Sequence, residues 1–428
     1  MKIVIIGAGS QIFGQRSIVD ILSEKIFRNF DLELVLVDTN PAKLEKMKKL
    51  AEMVKEELSS KAKVWATTDR LEALPGTDYV FISVSYRRYE LWEQDFRVPY
   101  AYGFKQAYGE NGGPGALFHA LRNIHVVMTI CKDIERLAPE AFVFNFTNPE
   151  SRILLAIKTL TPLKAIGLCH GQHDALMAIS RLTGRAENSI LIRGGGINHL
   201  FWLQEIKDKT TGEDLYPELK ARAQECNIDS FTLPAKLLQI YGMLTYPDNT
   251  HAGEFFSFGT DYMHGKWVHG IENRSITSIF KSEIDHISPI LSGKRPIQEI
   301  LVRSREIAVP LIIALSTGVE AEFYSGNVVN DHLYIPNLQP EGVVEVPIYI
   351  KDNSIHAKSI NPLPEGVAAF CRTQISIQKL TVMAYETRSK NLLLQALLLE
   401  PTVDSIDKAE ALIDDMLILQ RDYLPEFN

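Results

Sequence analysis

Cysteine is scarce in this 428-residue chain: there are four, Cys131, Cys169, Cys226 and Cys371, and no two of them form a CxxC pair. So wide a spacing offers no disulfide framework, and it fits a reducing compartment. Long apolar runs are also missing. No uninterrupted hydrophobic segment approaches the roughly 20 residues that span a bilayer. The opening "MKIVIIGAGS" has an apolar run too short for a signal-peptide core, and it ends in glycines with no cleavage site. A cytoplasmic location without membrane contact is expected. Positive charge is in deficit, with 45 Lys and Arg against 53 Asp and Glu and a formal net charge of −8. With no basic tail or stripe to reverse it, general nucleic-acid binding is excluded. What remains is 46% hydrophobic and 23% charged, ordinary for a globular protein long enough for two or three domain-sized units.

The first 150 residues alternate strand and helix. "KIVII" (2–6) is the continuous apolar run of a parallel strand buried on both faces. "GAGSQIFG" turns the chain into a helix that should reach about Glu24. "LELVLVD" (32–38) reads as a second strand ending in an acid. Leu44, Met47, Leu50, Val54 and Leu58 then recur three or four residues apart, the spacing of an amphipathic helix. "DYVFISVS" (78–85) and "AFVFNF" (141–146) are further strands, with a helix over about 116–137. This alternation predicts an α/β fold, with a Rossmann-like, doubly wound parallel sheet over residues 1–165. Residues 166–428 are expected to form a tightly packed α+β unit. In it, "KAIGLC" and "SILIRGGGINH" read as strands, and "LQEIKDKTTGEDL" as a hairpin turning at Gly212. Helices are expected over about 214–226, 233–243 and 277–316, short strands past 325, and a mostly helical tail over about 365–420.

Gly7 and Gly9 follow a strand and precede a helix, the context in which a glycine turn lets backbone approach a pyrophosphate at a helix N-terminus. The third glycine of the full fingerprint is replaced by Ile12, and Gly14 is the nearest substitute. Asp38, ending the second strand, is placed to accept hydrogen bonds from a ribose diol, which favours NAD over NADP. Ser10 in the same turn and Ser83 at the end of "VFISVS" complete the expected nucleotide contacts. The bland alternative is a tight strand–helix turn with a helix-capping aspartate.

Cys169 and His170 stand together in "GLCHG" (167–171), where a short apolar strand ends. Strand ends are where open α/β sheets keep their chemistry, yet a lone cysteine is more often a small core residue than a ligand. Four other stretches are unusual: "YGENGGPGALFHALRNI" (108–124), "NFTNPES" (145–151), "GGGINHLFW" (194–202) and "YPDNTHAGEF" (246–255). Each is glycine-rich or polar at an expected strand end or helix start. Together, and in this order, they resemble the NAD- and metal-dependent glycosidases of glycoside hydrolase family 4. The resemblance runs from "GAGS" to the late "VEVP" (344–347), and implies a lactate/malate dehydrogenase-like fold.

The resemblance implies NAD and a divalent metal, usually Mn2+, as cofactors, the metal held by Cys169 and His199. Two protein ligands leave coordination positions open for sugar hydroxyls and water. A thiolate is soft for manganese, so geometry and availability would select it. The implied chemistry is hydrolysis without the usual carboxylate pair, for which this family is an exception. Oxidation at carbon 3 acidifies the carbon 2 proton, the metal stabilises the enediolate, the aglycone is eliminated, water adds, and the hydride returns.

Asp248 matches the position of the carbon 2 base in α-acting relatives, with Tyr246 and His251 as rivals close in sequence. His170 matches the residue that protonates the leaving group in some relatives, a task suited to imidazole; supporting the metal ligands from behind or binding substrate is the alternative. Asn148 matches a sugar contact near the metal, Asn198 is expected to shape the same pocket, and Glu110, Asn111 and Arg122 are expected near the sugar. "Cys-His-Gly" looks like the branch that cleaves α-linked galacturonides or glucuronides. A uronate needs a cationic fork, for which Arg87, Arg88, His119 and Arg122 are candidates. The resemblance also suggests a homodimer or homotetramer acting on a small glycoside, with no nucleic-acid or membrane partner. An NAD-dependent sugar-acid dehydrogenase, a neutral α-galactosidase of the same family, and a non-enzymatic sensor are the competing readings.

Overall fold

In the computed structural model, which describes residues 1–263 and 285–428, Lys2–Ile6 form strand β1. Successive side chains of a strand point to opposite faces, and here both faces are covered. Val4 and Ile6 enter one apolar cluster and Ile3 and Ile5 another. The same division separates Val35 and Val37 from Leu34 and Leu36 in β2 (Glu33–Val37). Burial on both sides is why these strands read as unbroken apolar runs.

Strands β3 (Lys63–Thr67), β4 (Tyr79–Ile82), β5 (Phe142–Asn145) and β6 (Lys164–Gly167) complete a parallel set in the order β3-β2-β1-β4-β5-β6. The sheet then continues without a break through antiparallel strands. β6 pairs β9 (Ala321–Val329), β9 pairs β10 (Val343–Lys351), β10 pairs β7 (Ile190–Ile197), and β7 pairs β8 (Leu200–Asp208). β11 (Ser354–Ala357) hangs from β10. Parallel strands deliver their carboxyl ends to one edge, so the loops after β1, β4, β5 and β6 share that edge.

Several elements depart from the sequence reading. β3 is an edge strand whose residues are only partly buried, so "KVWAT" lacks the apolar run that marked its neighbours. Helix Arg88–Ala101 carries Pro99 and no regular apolar stripe. The expected hairpin over 203–215 is present but short: its first arm is the end of β8, which also pairs with β7, and after the turn at Gly212 the chain pairs back through the Lys207–Asp214 bridge, with the Asp208 and Leu215 amides donating to Glu213 and Ile206. The helical content expected over 277–316 is thinner, two short helices, Ile287–Leu291 and Ala308–Thr317, separated by Gly293 and Pro296; residues 277–284 lie outside the described residues. Among the described residues, no helix is long and apolar enough to cross a membrane.

Candidate active site

The first of the shared strand ends is a turn built on backbone hydrogen bonds. The amides of Gly7 and Ala8 both donate to the Val37 carbonyl, at 2.9 and 3.0 Å. Asp38 Oδ2 accepts from the Gly9 amide at 2.9 Å and Oδ1 from the Asn40 amide at 2.8 Å. Asp38 thus ties the glycine turn to the end of β2. A side chain on Gly14 would place its Cβ 2.2 Å from the Ala8 carbonyl oxygen. Gly14 therefore provides the close helix–turn contact that Ile12 cannot. Ser10 Oγ accepts from the Phe13 amide at 3.1 Å and closes the helix start, while the Ser83 amide donates to Ile6 beneath the turn at 3.0 Å.

At the end of β6 the chain leads through Leu168 to Cys169 and His170, and helix Gly171–Thr183 begins at once. From the other half of the sheet, β7 and β8 are joined by a two-residue loop, Asn198-His199, closed by the Ile197–Leu200 pair. His199 holds the left-handed backbone conformation, φ +64°. This brings His199 Nε2 to 3.3 Å from Cys169 Sγ. Burial, with the neighbouring His251 and then His170, holds the His199 pKa well below its ordinary value, so its imidazole is neutral. Burial and the charge of Glu345 push the Cys169 thiol up; a cation taken there has to displace a proton.

These two donors fit a divalent cation. A sulfur and a neutral nitrogen 3.3 Å apart can share one ion at metal–ligand lengths of roughly 2.0–2.3 Å. His199 Nδ1 is buried and lacks a hydrogen-bond partner among the described residues. Among the described residues, no third His, Cys, Asp or Glu completes a metal cluster. Remaining coordination would therefore fall to a ligand's oxygens.

Around the pair stands a ring of acids and imidazoles. His170 Nδ1 lies 3.2 Å from Glu306 and Nε2 lies 3.4 Å from Asp174. The Glu306 hydrogen bond raises its pKa against the opposing effect of burial. Asp248 accepts from the Thr250 amide at 2.8 Å and faces His251 Nδ1 at 3.4 Å. Burial would raise the Asp248 pKa, but the His251 contact and the Thr250 hydrogen bonds together outweigh it and the carboxyl sits below its usual range. For His251, burial is outweighed in turn by Asp248, and the pKa is raised. Tyr246 stacks on His251 at 4.6 Å and donates to Asp174 at 3.0 Å. Glu254 accepts from the amides of Glu110 and Asn111 at 2.7 and 2.8 Å, pinning the "YGENGG" loop beneath the ring. Burial pushes its pKa up to about 7.

The structure brings Cys169, His170, His199, Asn198, Asp248 and Glu110 around this one region. Asn148, in the loop after β5, has its carbonyl held by Asn123 at 2.6 Å. Arg88 is half-exposed at the rim, 3.5 Å from Glu110 and over the Trp92 ring. Arg122 is a correction. It is 1% exposed, and both Nη atoms meet Asp95, with Gln420 on Nη1 at 2.6 Å. His119 meets the same Asp95 at 3.2 Å. Both side chains brace helices Arg88–Ala101 and Pro114–Leu137 rather than reaching a sugar, because a buried Asp95 needs partners and, among the described residues, its ion-pair contacts are to these two.

Sequence reading missed Asp174, Glu306, Glu254 and two fully buried acids, Glu150 and Glu345. Burial pushes the Glu345 carboxyl up to about 7, and Glu150 well above its ordinary value. A lone Glu inside the apolar run "VVEVPIYI" was a usable signal, since a charged residue is almost never fully buried without a partner. Asp174 and Glu306 carried none, being separated in sequence by well over a hundred ordinary positions.

Comparison with known proteins agrees with this fold. Residues 2–184 match the family model described as family 4 glycosyl hydrolase, and residues 195–403 match the model of that family's C-terminal domain. An α-galactosidase of Bacillus subtilis (strain 168) is 30% identical, over 100% of this chain and 99% of its own. An α-galacturonidase of Lachnoclostridium phytofermentans is 26% identical, over 100% and 98%. The solved 6-phospho-α-glucosidase from gut microorganisms, in complex with NAD and Mn2+, superposes with TM-score 0.83 at 18% identity, covering 100% of this chain and 99% of that one. Malate dehydrogenase from Plasmodium falciparum has the same general fold, with TM-score 0.53 at 12% identity, covering 93% and 99%. The chain belongs to glycoside hydrolase family 4.

Proposed function

We propose that this glycosidase hydrolyses α-linked uronides, galacturonides or glucuronides, with NAD and a divalent cation, Mn2+ by preference. One observation carries the proposal: Cys169 and His199 meet at 3.3 Å on the sheet edge where Gly7, Gly9 and Asp38 form the nucleotide turn. NAD supplies reversible hydride transfer at carbon 3, and the cation supplies charge stabilisation at the sugar oxygens beside it.

This chain's residues do the rest. Asp38 and the glycine turn orient the nucleotide, and Cys169 and His199 hold the cation. Asp248 takes the carbon 2 proton, its charge supported by His251. Tyr246 suits that role less, because burial pushes its phenol well above the ordinary value and it already donates to Asp174. His170, gripped between Glu306 and Asp174, delivers a proton to the departing oxygen. Asn148 and Asn198 offer amide groups to the sugar hydroxyls.

The uronide branch is supported by the resemblance of Cys-His-Gly, whose last residue, Gly171, also has a packing role. A Cβ there would stand 2.7 Å from the Tyr246 ring, so glycine is what admits Tyr246 against His199 and His251. Arg88 at the rim is the cation best placed for a carboxylate. A second reading, a neutral α-hexoside, is favoured by a different observation: Asp95 occupies His119 and Arg122, and Glu110 faces Arg88. The test is a panel of chromogenic glycosides assayed with NAD, Mn2+ and a reducing agent. Cleavage of α-uronides without net NADH formation is expected. Cleavage confined to neutral α-hexosides would select the second reading, and steady NADH accumulation would indicate a dehydrogenase.

A further inference from the structure

The stretch "LVRSRE" (301–306) is neither helix nor strand, yet its last four side chains are all committed. Arg303 meets Glu24 at 2.5 Å. The Ser304 amide donates to Asp20 Oδ1 at 2.7 Å, and the Ser304 hydroxyl donates to Asp20 Oδ2. Arg305 donates to Glu187 and, at 2.7 Å, to His173 Nε2. Glu306 Oε1 lies 3.2 Å from His170 Nδ1. The first two residues thus grip helix Phe13–Ser23, which follows the glycine turn, and its C-cap Glu24. The next two grip the start of helix Gly171–Thr183, which His170 caps. Gln15 adds a further tie, donating to the Ile300 carbonyl at 3.1 Å. The stretch is a strap from the nucleotide helix to the end of β6.

Asp20 anchors the strap. It is 5% exposed, where an acid is seldom found without partners. Among the described residues its hydrogen-bond donors are the two groups of Ser304. Ser304 Oγ in turn accepts from the Glu306 amide at 3.2 Å. A hydroxyl bonded to the backbone two residues on holds that backbone in a turn, so Asp20 and Ser304 together fix where the Glu306 side chain starts. His170 needs what Glu306 offers. Its side chain is 48% exposed, so packing does not choose its ring orientation, and ordering a free side chain costs entropy. Asp174 faces the other nitrogen, Nε2, at the longer distance of 3.4 Å, through an oxygen that also accepts from Tyr246 at 3.0 Å.

We propose that Glu306 is a positioning residue for His170: held by the Asp20–Ser304 anchor, its carboxylate takes the Nδ1 side of the imidazole and leaves Nε2 for the departing oxygen. This rests on the reading that His170 protonates the leaving group. In that step the Nε2–H bond breaks and an O–H bond forms. The bond from carbon 1 to that oxygen breaks with its electron pair on oxygen, and the Glu306 carboxylate keeps its charge throughout.

The experiment measures kcat and KM of the full chain, with NAD and Mn2+, on two glycosides of the sugar that the chromogenic panel selects. One carries a dinitrophenyl aglycone, which leaves without a proton, and the other a methyl aglycone, which needs one. Glu306→Gln should lower kcat on the methyl glycoside by about 10²-fold, the scale of a misplaced catalytic group. Its kcat on the dinitrophenyl glycoside, both KM values and the melting temperature should stay near wild type. Ser304→Ala should show a smaller loss of the same kind. Added to Glu306→Gln it should cost nothing further, because it acts through that residue. Glu306→Asp, which keeps the carboxylate, should recover part of the rate. Wild-type kcat on the methyl glycoside in Glu306→Gln, or equal losses on both glycosides, would overturn the proposal. If His170→Gln also cleaves the methyl glycoside at the wild-type rate, the assignment of His170 as the acid fails; if only the Glu306 variants do so, the positioning role alone fails.

Discussion

The nucleotide turn and the sugar cleft lie on the same sheet edge but are built in opposite ways. In the turn, backbone meets backbone or one short acid: Gly7, Ala8 and Gly9 all have partners in Val37 and Asp38. The cleft is made of side chains from β6, the β7–β8 loop, β10 and the segment 246–254. Several of its buried polar atoms, including His199 Nδ1, Asn198 Oδ1 and Glu345 Oε1, have no hydrogen-bond partner among the described residues. Each such atom left dry costs about 1–3 kcal/mol, a large share of a typical folding free energy. The turn is finished by folding, whereas the cleft is finished by what binds. That contrast makes the two ends separable by mutation.

Asp248→Asn should break the cleft hardest. It is expected to lower turnover by about 10²–10⁴-fold and to stop exchange of the carbon 2 proton with solvent, followed by NMR, while NAD affinity stays unchanged. Full exchange in this variant would move the base to another residue. Asp95→Asn tests a region belonging to neither end. Leaving Arg122 buried without its partner should cost about 3–5 kcal/mol in denaturant unfolding.

The same pair carries a pH dependence whose sign follows from the structure. Burial would raise the Asp95 carboxyl, but Arg122 and His119 outweigh it and hold it below its ordinary value. Its stabilising effect is therefore fully present above the unfolded carboxylate value of about 3.9. It is lost as the pH falls through the lower, folded value. Denaturant midpoints measured across that acid range should drop for wild type and stay flatter for Asp95→Asn.

Asp38→Ala should sharpen the contrast from the other side. Loss of a charged acceptor at the ribose position predicts NAD binding weaker by about 1.5–3 kcal/mol in calorimetry, with Mn2+ affinity little changed. The smallest effect is expected at the rim. Arg88→Ala removes a half-exposed cation already facing Glu110, and should cost about 0.2–1 kcal/mol of selectivity for uronides over neutral α-hexosides.

Legibility in the sequence followed the same division. "KIVII", the glycine turn and Asp38 are contiguous, and their burial on both faces writes an unmistakable apolar run. Cys169 and His199 were reached through motif resemblance, since thirty residues and a change of strand direction separate them. Arg122 was misplaced because its partner, Asp95, lies on another helix, and nothing periodic links positions 95 and 122. Strand β3 and helix Arg88–Ala101 escaped because partial burial blurs the apolar pattern. Glu345 was legible as an anomaly only, an acid where the strand calls for an apolar side chain.

The most direct test is anomalous diffraction at the manganese edge from crystals grown with NAD and Mn2+. The account predicts one strong peak bridging Cys169 Sγ and His199 Nε2, beside the nicotinamide. A peak elsewhere, with the Cys169 sulfur turned away from the cofactor, would contradict it.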